Sequence, residues 1–97
     1  MKIEKGTAKN KKWKAVFSQY VDGKMKKLKV VQFGSKGMDD YTITGDKLQR
    51  TRYLNRHRKR ENWNDPMTAG ALSRWILWNK PTLKGSIKDF KKRFNLK

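Results

Sequence analysis

The sequence predicts an α+β domain in which a small antiparallel β-hairpin or three-stranded sheet packs against three α-helices. Two alternating runs, KWKAVFSQY and KKLKVVQF, flank an Asp-Gly pair and have the pattern of a β-hairpin. The second half of the chain carries apolar residues at helical spacing between proline and Asx signals. A length of 97 residues fits one domain, which we place at residues 12–97 after a flexible basic arm at residues 1–11.

The first predicted strand has one apolar face, formed by Trp13, Ala15 and Phe17. In the second strand, Leu28 with Val30 and Val31 with Phe33 lie on opposite faces, so the pattern leaves open which pair faces the core. A lone hairpin is only marginally stable in water, so a third strand or a covering helix is required. The run YTIT, at residues 41–44, is the candidate for that third strand.

Capping signals delimit the predicted helices. The first extends from about Asp46, a suitable N-cap, to about Glu61. The second begins after Asp65 as its N-cap, with Pro66 in the first helical position, and it stops before Pro81. The second helix is apolar over a broad arc that includes both of its tryptophans, which predicts that this helix forms the core.

The third predicted helix has a one-sided apolar stripe, and lysines occupy the rest of its surface. The tetrapeptide SIKD has the form of a capping box, which would start this helix at Ser86. The stripe consists of Leu83, Ile87, Phe90 and Phe94.

Charge is the dominant feature of the composition. The chain carries 26 Lys and Arg against 8 Asp and Glu, which gives a formal net charge of +18. Such a field attracts polyanions, and the phosphate backbone of a nucleic acid is the commonest partner for it. An anionic membrane surface, an acidic protein or a merely solvated basic surface are the competing interpretations. No cysteine, apolar membrane-spanning run or signal-peptide pattern is present, so we expect neither disulfides nor membrane insertion nor secretion.

The first predicted helix has two different sides at helical spacing. Tyr53, Leu54 and His57 lie on the side opposite the main cluster of cations, together with Arg50. His57 therefore fits a packed, hydrogen-bonded histidine better than a general base. Trp63, just beyond this helix, is a candidate for a base or sugar contact, or else for a packing residue at the turn. The predicted phosphate contacts are Arg52, Arg56, Lys59 and Arg60 of the helix, with Lys9, Lys11 and Lys12 from the arm and its border.

Two adjacent carboxylates, Asp39 and Asp40, are conspicuous in a chain with few acids. We expect one of them to pair with Arg50, because an arginine on the inward side of its helix needs a partner. The alternative is a divalent metal site for phosphodiester hydrolysis. No third carboxylate, metal-ligand spacing or phosphate-binding glycine loop accompanies the pair, so we predict no metal, no cofactor and no enzymatic activity.

Three strings of this sequence, FGSKGMDDYT, RYLNRHRKRENWNDPMTAGALSRWILWNKPTL and SIKDFKKRF, carry a family resemblance. They resemble short basic uncharacterised proteins encoded by large double-stranded DNA viruses of algae and amoebae, over about Phe33 to Phe94. The resemblance implies a viral source, and a location in the virion or in the viral factory or nucleus of the infected cell. It implies no catalytic residues.

These observations together predict a non-enzymatic protein that binds double-stranded DNA, mainly through its phosphates, for viral genome packaging or condensation. Strong sequence specificity is not expected, because no helix presents a base-reading set of side chains. The alternative is an internal or minor capsid protein, which would use its charge to bind other virion proteins.

Overall fold

A computed structural model describes residues 1–96 and shows a three-stranded antiparallel sheet with helices packed on one face. The predicted α+β class is confirmed. The strands follow one another as a meander in the order β1-β2-β3. The elements are β1 (Lys2–Lys5), β2 (Lys11–Val21), β3 (Lys24–Ser35), α1 (Tyr41–Thr44), α2 (Lys47–His57), α3 (Ala69–Leu72), a π-helical segment (Ser73–Leu77) and α4 (Leu83–Arg93).

The predicted hairpin is confirmed and joins β2 to β3. Asp22 and Gly23 both have positive φ, 53° and 77°, as a two-residue hairpin turn of the favoured twist requires. Phe33 is fully buried and stands opposite Trp13 in the register. The face of β3 that carries Phe33, rather than that of Val30, therefore meets the core.

The first strand was not predicted. Residues 1–11 were expected to form a basic arm, but Lys2–Lys5 pair with β2 as the edge strand β1. Ile3 stands opposite Ala15 and packs against the core. The strand is short and has a single apolar residue, so its alternation is too weak a signal to recognise without its partner.

The run YTIT forms the short helix α1 and not a third strand. Asp40 caps it, since its side chain accepts a hydrogen bond from the Thr42 backbone N–H at 2.9 Å. Gly45 ends the helix in the left-handed region, with φ of 65°. Local capping at both ends therefore prevails over the β-propensity of the β-branched residues.

The helix boundaries differ from the prediction at three places. Asp46 is the N-cap of α2, as predicted, but that helix ends at His57. Thr68, not Asp65, caps α3 by accepting from the Ala71 N–H at 3.2 Å. Thr82 caps α4 ahead of the predicted start at Ser86.

The core lies between the sheet and the helices that follow it. Side chains from β2 and β3 meet α3, the π-helical segment and α4 there, and α4 packs on the π-helical segment. The predicted core role of the second helix is confirmed. The buried apolar residues are Ala15, Phe17, Phe33, Tyr41, Leu54, Ala71, Leu72, Ile76, Leu77, Trp78 and Phe90.

Candidate nucleic-acid interface

Helix α2 presents two sides, as the sequence indicates. Leu54 is buried, and Tyr53 and His57 are half-buried beside it. Arg52 and Arg56, four residues apart, are exposed. Within residues 1–96 neither guanidinium has an ion-pair or hydrogen-bond partner, so both are free to meet an anion.

The inward side of α2 is held by a stack of three rings. Tyr53 stacks on Trp78 with centroids 4.4 Å apart, and on His57 with centroids 4.3 Å apart. Burial, and then the negative charge of Glu61, raise the pKa of Tyr53 above its ordinary value, while its hydrogen bond to Ser73 opposes the change. The Nδ1 atom of His57 lies 3.3 Å from the Glu61 carboxylate. His57 is therefore a packed and partnered residue.

The exposed arginines line an open cleft of about 740 Å³. Its lining comes from α2, from the end of β3 with the loop that follows, and from α3 and the π-helical segment. Lys11, at the start of β2, also lines it. The fold thus brings together four of the predicted phosphate contacts, Lys11, Lys12, Arg52 and Arg56, in one concave surface.

Three carboxylates with different environments also line this cleft, those of Asp39, Asp40 and Glu61. Glu61 is occupied, because its two oxygens face His57 Nδ1 and the Trp63 Nε1–H. Asp39 is exposed. The cleft therefore carries the cations of Lys11, Arg52 and Arg56, while the carboxylates of Glu61 and Asp40 are engaged by other side chains and that of Asp39 is in contact with solvent.

Asp40 pairs with Lys12, not with Arg50. The Asp40 side chain is 2 % exposed, and its Oδ2 accepts from Lys12 Nζ at 2.7 Å. Lys12 also donates to the Met38 carbonyl, and Thr42 donates to Asp40 through both its backbone N–H and its hydroxyl. Lys12, predicted as a phosphate contact, therefore anchors the β3–α1 loop to β2.

Arg50 finds a backbone partner in place of the predicted carboxylate. Its Nε donates to the Trp78 carbonyl at 2.9 Å, and its guanidinium lies 5.7 Å from the Tyr41 ring centroid. Arg74 donates to the same carbonyl at 3.2 Å. The predicted ion pair of Arg50 with Asp39 or Asp40 does not form among residues 1–96. The Arg50 guanidinium instead donates to the Trp78 carbonyl, which the end of the π-helical segment leaves without a partner inside the helix.

Trp63 belongs to a packed cluster of tryptophans and arginines. Its carbonyl accepts from Trp75 Nε1 at 2.9 Å, and the Arg74 guanidinium lies 5.4 Å from its ring centroid. The Trp75 ring contacts two guanidinium groups, those of Arg74 at 4.0 Å and Arg93 at 3.8 Å. The alternative interpretation of Trp63, as a packing residue at the turn, is the one that this geometry favours.

This cluster was missed by sequence reasoning. Arg74 lay on the less apolar side of a helix that was assigned to the core, and no local signal pairs it with Arg93. Burial, and then repulsion from Arg50 and Arg93, lower the pKa of Arg74 to about 10. The cluster gathers several like charges around two indole rings.

The other predicted phosphate contacts lie outside the cleft. Lys59 and Arg60 are exposed in the turn that follows α2, and Lys9 is exposed in the connection between β1 and β2. The early end of α2 removes Lys59 and Arg60 from the helical face that Arg52 and Arg56 share. They remain predicted contacts on a neighbouring surface.

No helix within residues 1–96 has the length and apolar character needed to cross a membrane. In the same part of the chain, no three histidine, aspartate or glutamate side chains gather where they could hold a metal ion.

The site and fold define a small α+β protein with a cationic cleft beside its sheet. The chain belongs to DUF5754, a family of unknown function, which matches residues 1–57. The matched segment contains the whole sheet, the Lys12–Asp40 pair and α2 up to its last helical residue. It therefore includes the N-terminal third, which precedes the strings that carry the resemblance noted from the sequence. No curated protein and no solved structure matches the chain.

Proposed function

We propose that this protein binds double-stranded DNA without catalysis, mainly through phosphate contacts. The observation that carries the proposal is the convergence of Lys11, Arg52 and Arg56 on one open cleft. Arginine offers a planar fork that matches phosphate, and neither arginine is engaged by a carboxylate within residues 1–96. The net charge of +18 adds a long-range field that draws a polyanion towards the cleft.

The surrounding cations extend this contact surface. Exposed cations flank two of the segments that form the cleft. Lys9 lies just before β2, and Lys59 and Arg60 lie just after α2. Contacts of this kind bind phosphates without reading bases, which suits packaging or condensation of a genome. The resemblance to proteins of large DNA viruses supports a role in the virion or the viral factory.

An internal or minor capsid protein is the second candidate function. Three large apolar side chains are exposed around α1 and the start of α2, namely Met38, Ile43 and Leu48, with 64 %, 61 % and 60 % of their surface accessible. Exposed apolar residues that are close in sequence favour a protein contact. On this alternative, the cationic surface would bind acidic segments of other virion proteins.

A salt series on duplex binding tests the proposal. If about six phosphates are contacted, affinity should fall roughly 10³-fold between 50 and 200 mM salt. The Arg52→Ala/Arg56→Ala variant should bind more weakly to every duplex sequence, with a salt slope smaller by about two.

The matched control removes the same charge elsewhere. Lys84 and Lys88 are exposed on α4 and do not line the cleft, so Lys84→Ala/Lys88→Ala should keep most of the slope. Micromolar protein that fails to shift duplex DNA at low salt would eliminate the proposal and leave the capsid alternative.

A further inference from the structure

The β2–β3 hairpin extends beyond the core. We define the distal hairpin as residues 18–30. From Gln19 to Val30 every residue is exposed except Val21, which is half-buried. Four lysines lie in this segment against a single carboxylate, that of Asp22 in the turn: Lys24, Lys26, Lys27 and Lys29.

The register divides the distal hairpin into two unlike faces. Lys29 pairs with Phe17, Lys26 with Gln19 and Lys24 with Val21, so these lysines continue the face that is buried further along the sheet. The opposite face carries Lys27, which pairs with Ser18, and is apolar at its tip, where Tyr20 pairs with Met25. Tyr20 is 73 % exposed and Met25 is 61 % exposed.

A register shift lies within the distal hairpin, where it borders the packed part of the sheet. Phe17 pairs with Lys29 and Ser18 pairs with Lys27, so Leu28 has no cross-strand partner. A bulge of this kind bends the ribbon and increases its twist. Nothing in the core requires a lysine-rich extension at this point, because the buried residues of the sheet end at Phe17 and Phe33.

We propose that the distal hairpin is a second nucleic-acid-binding element, which lies in the major groove of a duplex with Lys24, Lys26 and Lys29 on the phosphates. The major groove is about 12 Å wide and admits a two-stranded ribbon. Tyr20 and Met25, on the other face, then contact the base edges at the floor of the groove, where thymine methyl groups offer apolar surface. Charge selects the partner, since four lysines with one carboxylate favour a polyanion over a protein surface of mixed charge.

This element lies at the opposite end of the molecule from the cleft. Lys11 and Ser35 pair at the cleft end of the sheet, and Val21 and Lys24 pair at the tip. With about 3.3 Å per residue along β2, the tip is about 33 Å from the cleft end, and the longest dimension of the molecule is 47 Å. Each surface therefore contacts its own stretch of duplex, roughly one helical turn from the other. The inference rests on the proposed function, and it adds a second site to it.

Substitution of the lysine face is the main test, on a duplex of about 20 base pairs, or two helical turns. The variant Lys24→Gln/Lys26→Gln/Lys29→Gln should reduce the salt slope of binding by about three. The matched control Lys84→Gln/Lys88→Gln/Lys92→Gln removes the same charge from exposed positions on α4 and should keep most of the slope. Thermal unfolding of each variant checks that the fold is intact.

Groove chemistry supplies a readout that a general loss of charge would not change. Wild-type protein should protect guanine N7, which faces the major groove, from methylation by dimethyl sulfate. The hairpin variant should lose this protection, while Arg52→Ala/Arg56→Ala should retain it. The variant Tyr20→Thr/Met25→Thr should bind more weakly with an unchanged salt slope, because it removes no charge.

Several outcomes would overturn the inference. One is a hairpin variant that loses no more of the slope than its control, and another is a wild-type complex without N7 protection. A third is a Tyr20→Thr/Met25→Thr variant that changes only the self-association of the free protein, which would make this face a protein contact. If the hairpin variant fails to bind while Arg52→Ala/Arg56→Ala binds like wild type, the cleft proposal falls and the hairpin proposal stands.

Discussion

Lys12 is one of eleven lysines in the first 36 residues, and its neighbours along the chain do not distinguish it from the others. The fold gives it a distinct role, because its ammonium group lies 2.7 Å from a carboxylate that is 2 % exposed. A buried charge without its partner is strongly destabilising, so the two residues depend on each other. A lysine predicted to meet phosphate is instead part of the structure that holds the β3–α1 loop against β2.

We expect Asp40→Asn to lower the free energy of unfolding by about 3 kcal/mol, because the partly buried Lys12 ammonium then loses its counter-charge. Chemical denaturation measures this change. A second substitution, Lys12→Met, should recover part of the loss by removing the unpaired charge. The control is Asp39→Asn at the exposed neighbour, which should change stability by less than about 0.5 kcal/mol. Equal effects at the two aspartates would show that the buried pair contributes nothing.

At the scale of secondary-structure elements, capping decides where several helices begin. The run YTIT is rich in β-branched residues, yet Asp40 and Gly45 cap it at both ends and it forms α1. The start of the second predicted helix is wrong for a different reason. Asp65 and Pro66 are residue types that favour a helix start, but here they form a turn. The Asp65 side chain accepts from the Met67 N–H at 3.0 Å, and the helix begins only after Thr68.

The position of this helix start can be measured. We expect Thr68→Ala to cost about 1 kcal/mol of stability, because the Ala71 N–H loses its capping partner. Asp65→Ala should cost only a few tenths of that amount, since it disturbs an exposed turn ahead of the helix. Equilibrium unfolding of both variants compares them directly. A larger loss for Asp65→Ala than for Thr68→Ala would place the N-cap at Asp65 after all.

At the scale of the whole molecule, charge is distributed between two ends. The arginine-bearing cleft lies at one end of the sheet, and the lysine-bearing distal hairpin lies at the other. The chain has a net charge of +18, and within residues 1–96 the lysine and arginine side chains that pair with a carboxylate are those of Lys12, Lys14 and Arg93. The folded state therefore carries a large self-repulsion, which bound polyanion or added salt would relieve.

We expect the thermal midpoint of unfolding to rise when sodium chloride is increased from low to physiological concentration. The reason is screening, since the Debye length falls to about 8 Å at 0.15 M and the repulsion between surface cations weakens. Calorimetry at several salt concentrations measures the rise. As a control, Lys84→Glu/Lys88→Glu lowers the net charge by four and should reduce the salt dependence. A midpoint that stays constant or falls with added salt would contradict the expectation.

The sequence by itself determined those features that depend on neighbours along the chain. These are the hairpin turn at Asp22 and Gly23, the start of α2 at Asp46, the two-sided character of α2 and the net charge. Each follows from backbone preference, capping or helical spacing over a few residues, and these act locally whatever the rest of the fold does.

Only the tertiary structure decided which distant groups meet. It joined Lys12 to Asp40 and Arg50 to the Trp78 carbonyl, both across 28 positions of the chain, and it added β1 to the sheet. It also gathered Lys11 with Arg52 and Arg56 in one cleft. The physical reason is that a buried charge or an unsatisfied carbonyl takes the partner that packing brings within reach, and many residues of this chain carry the same charge.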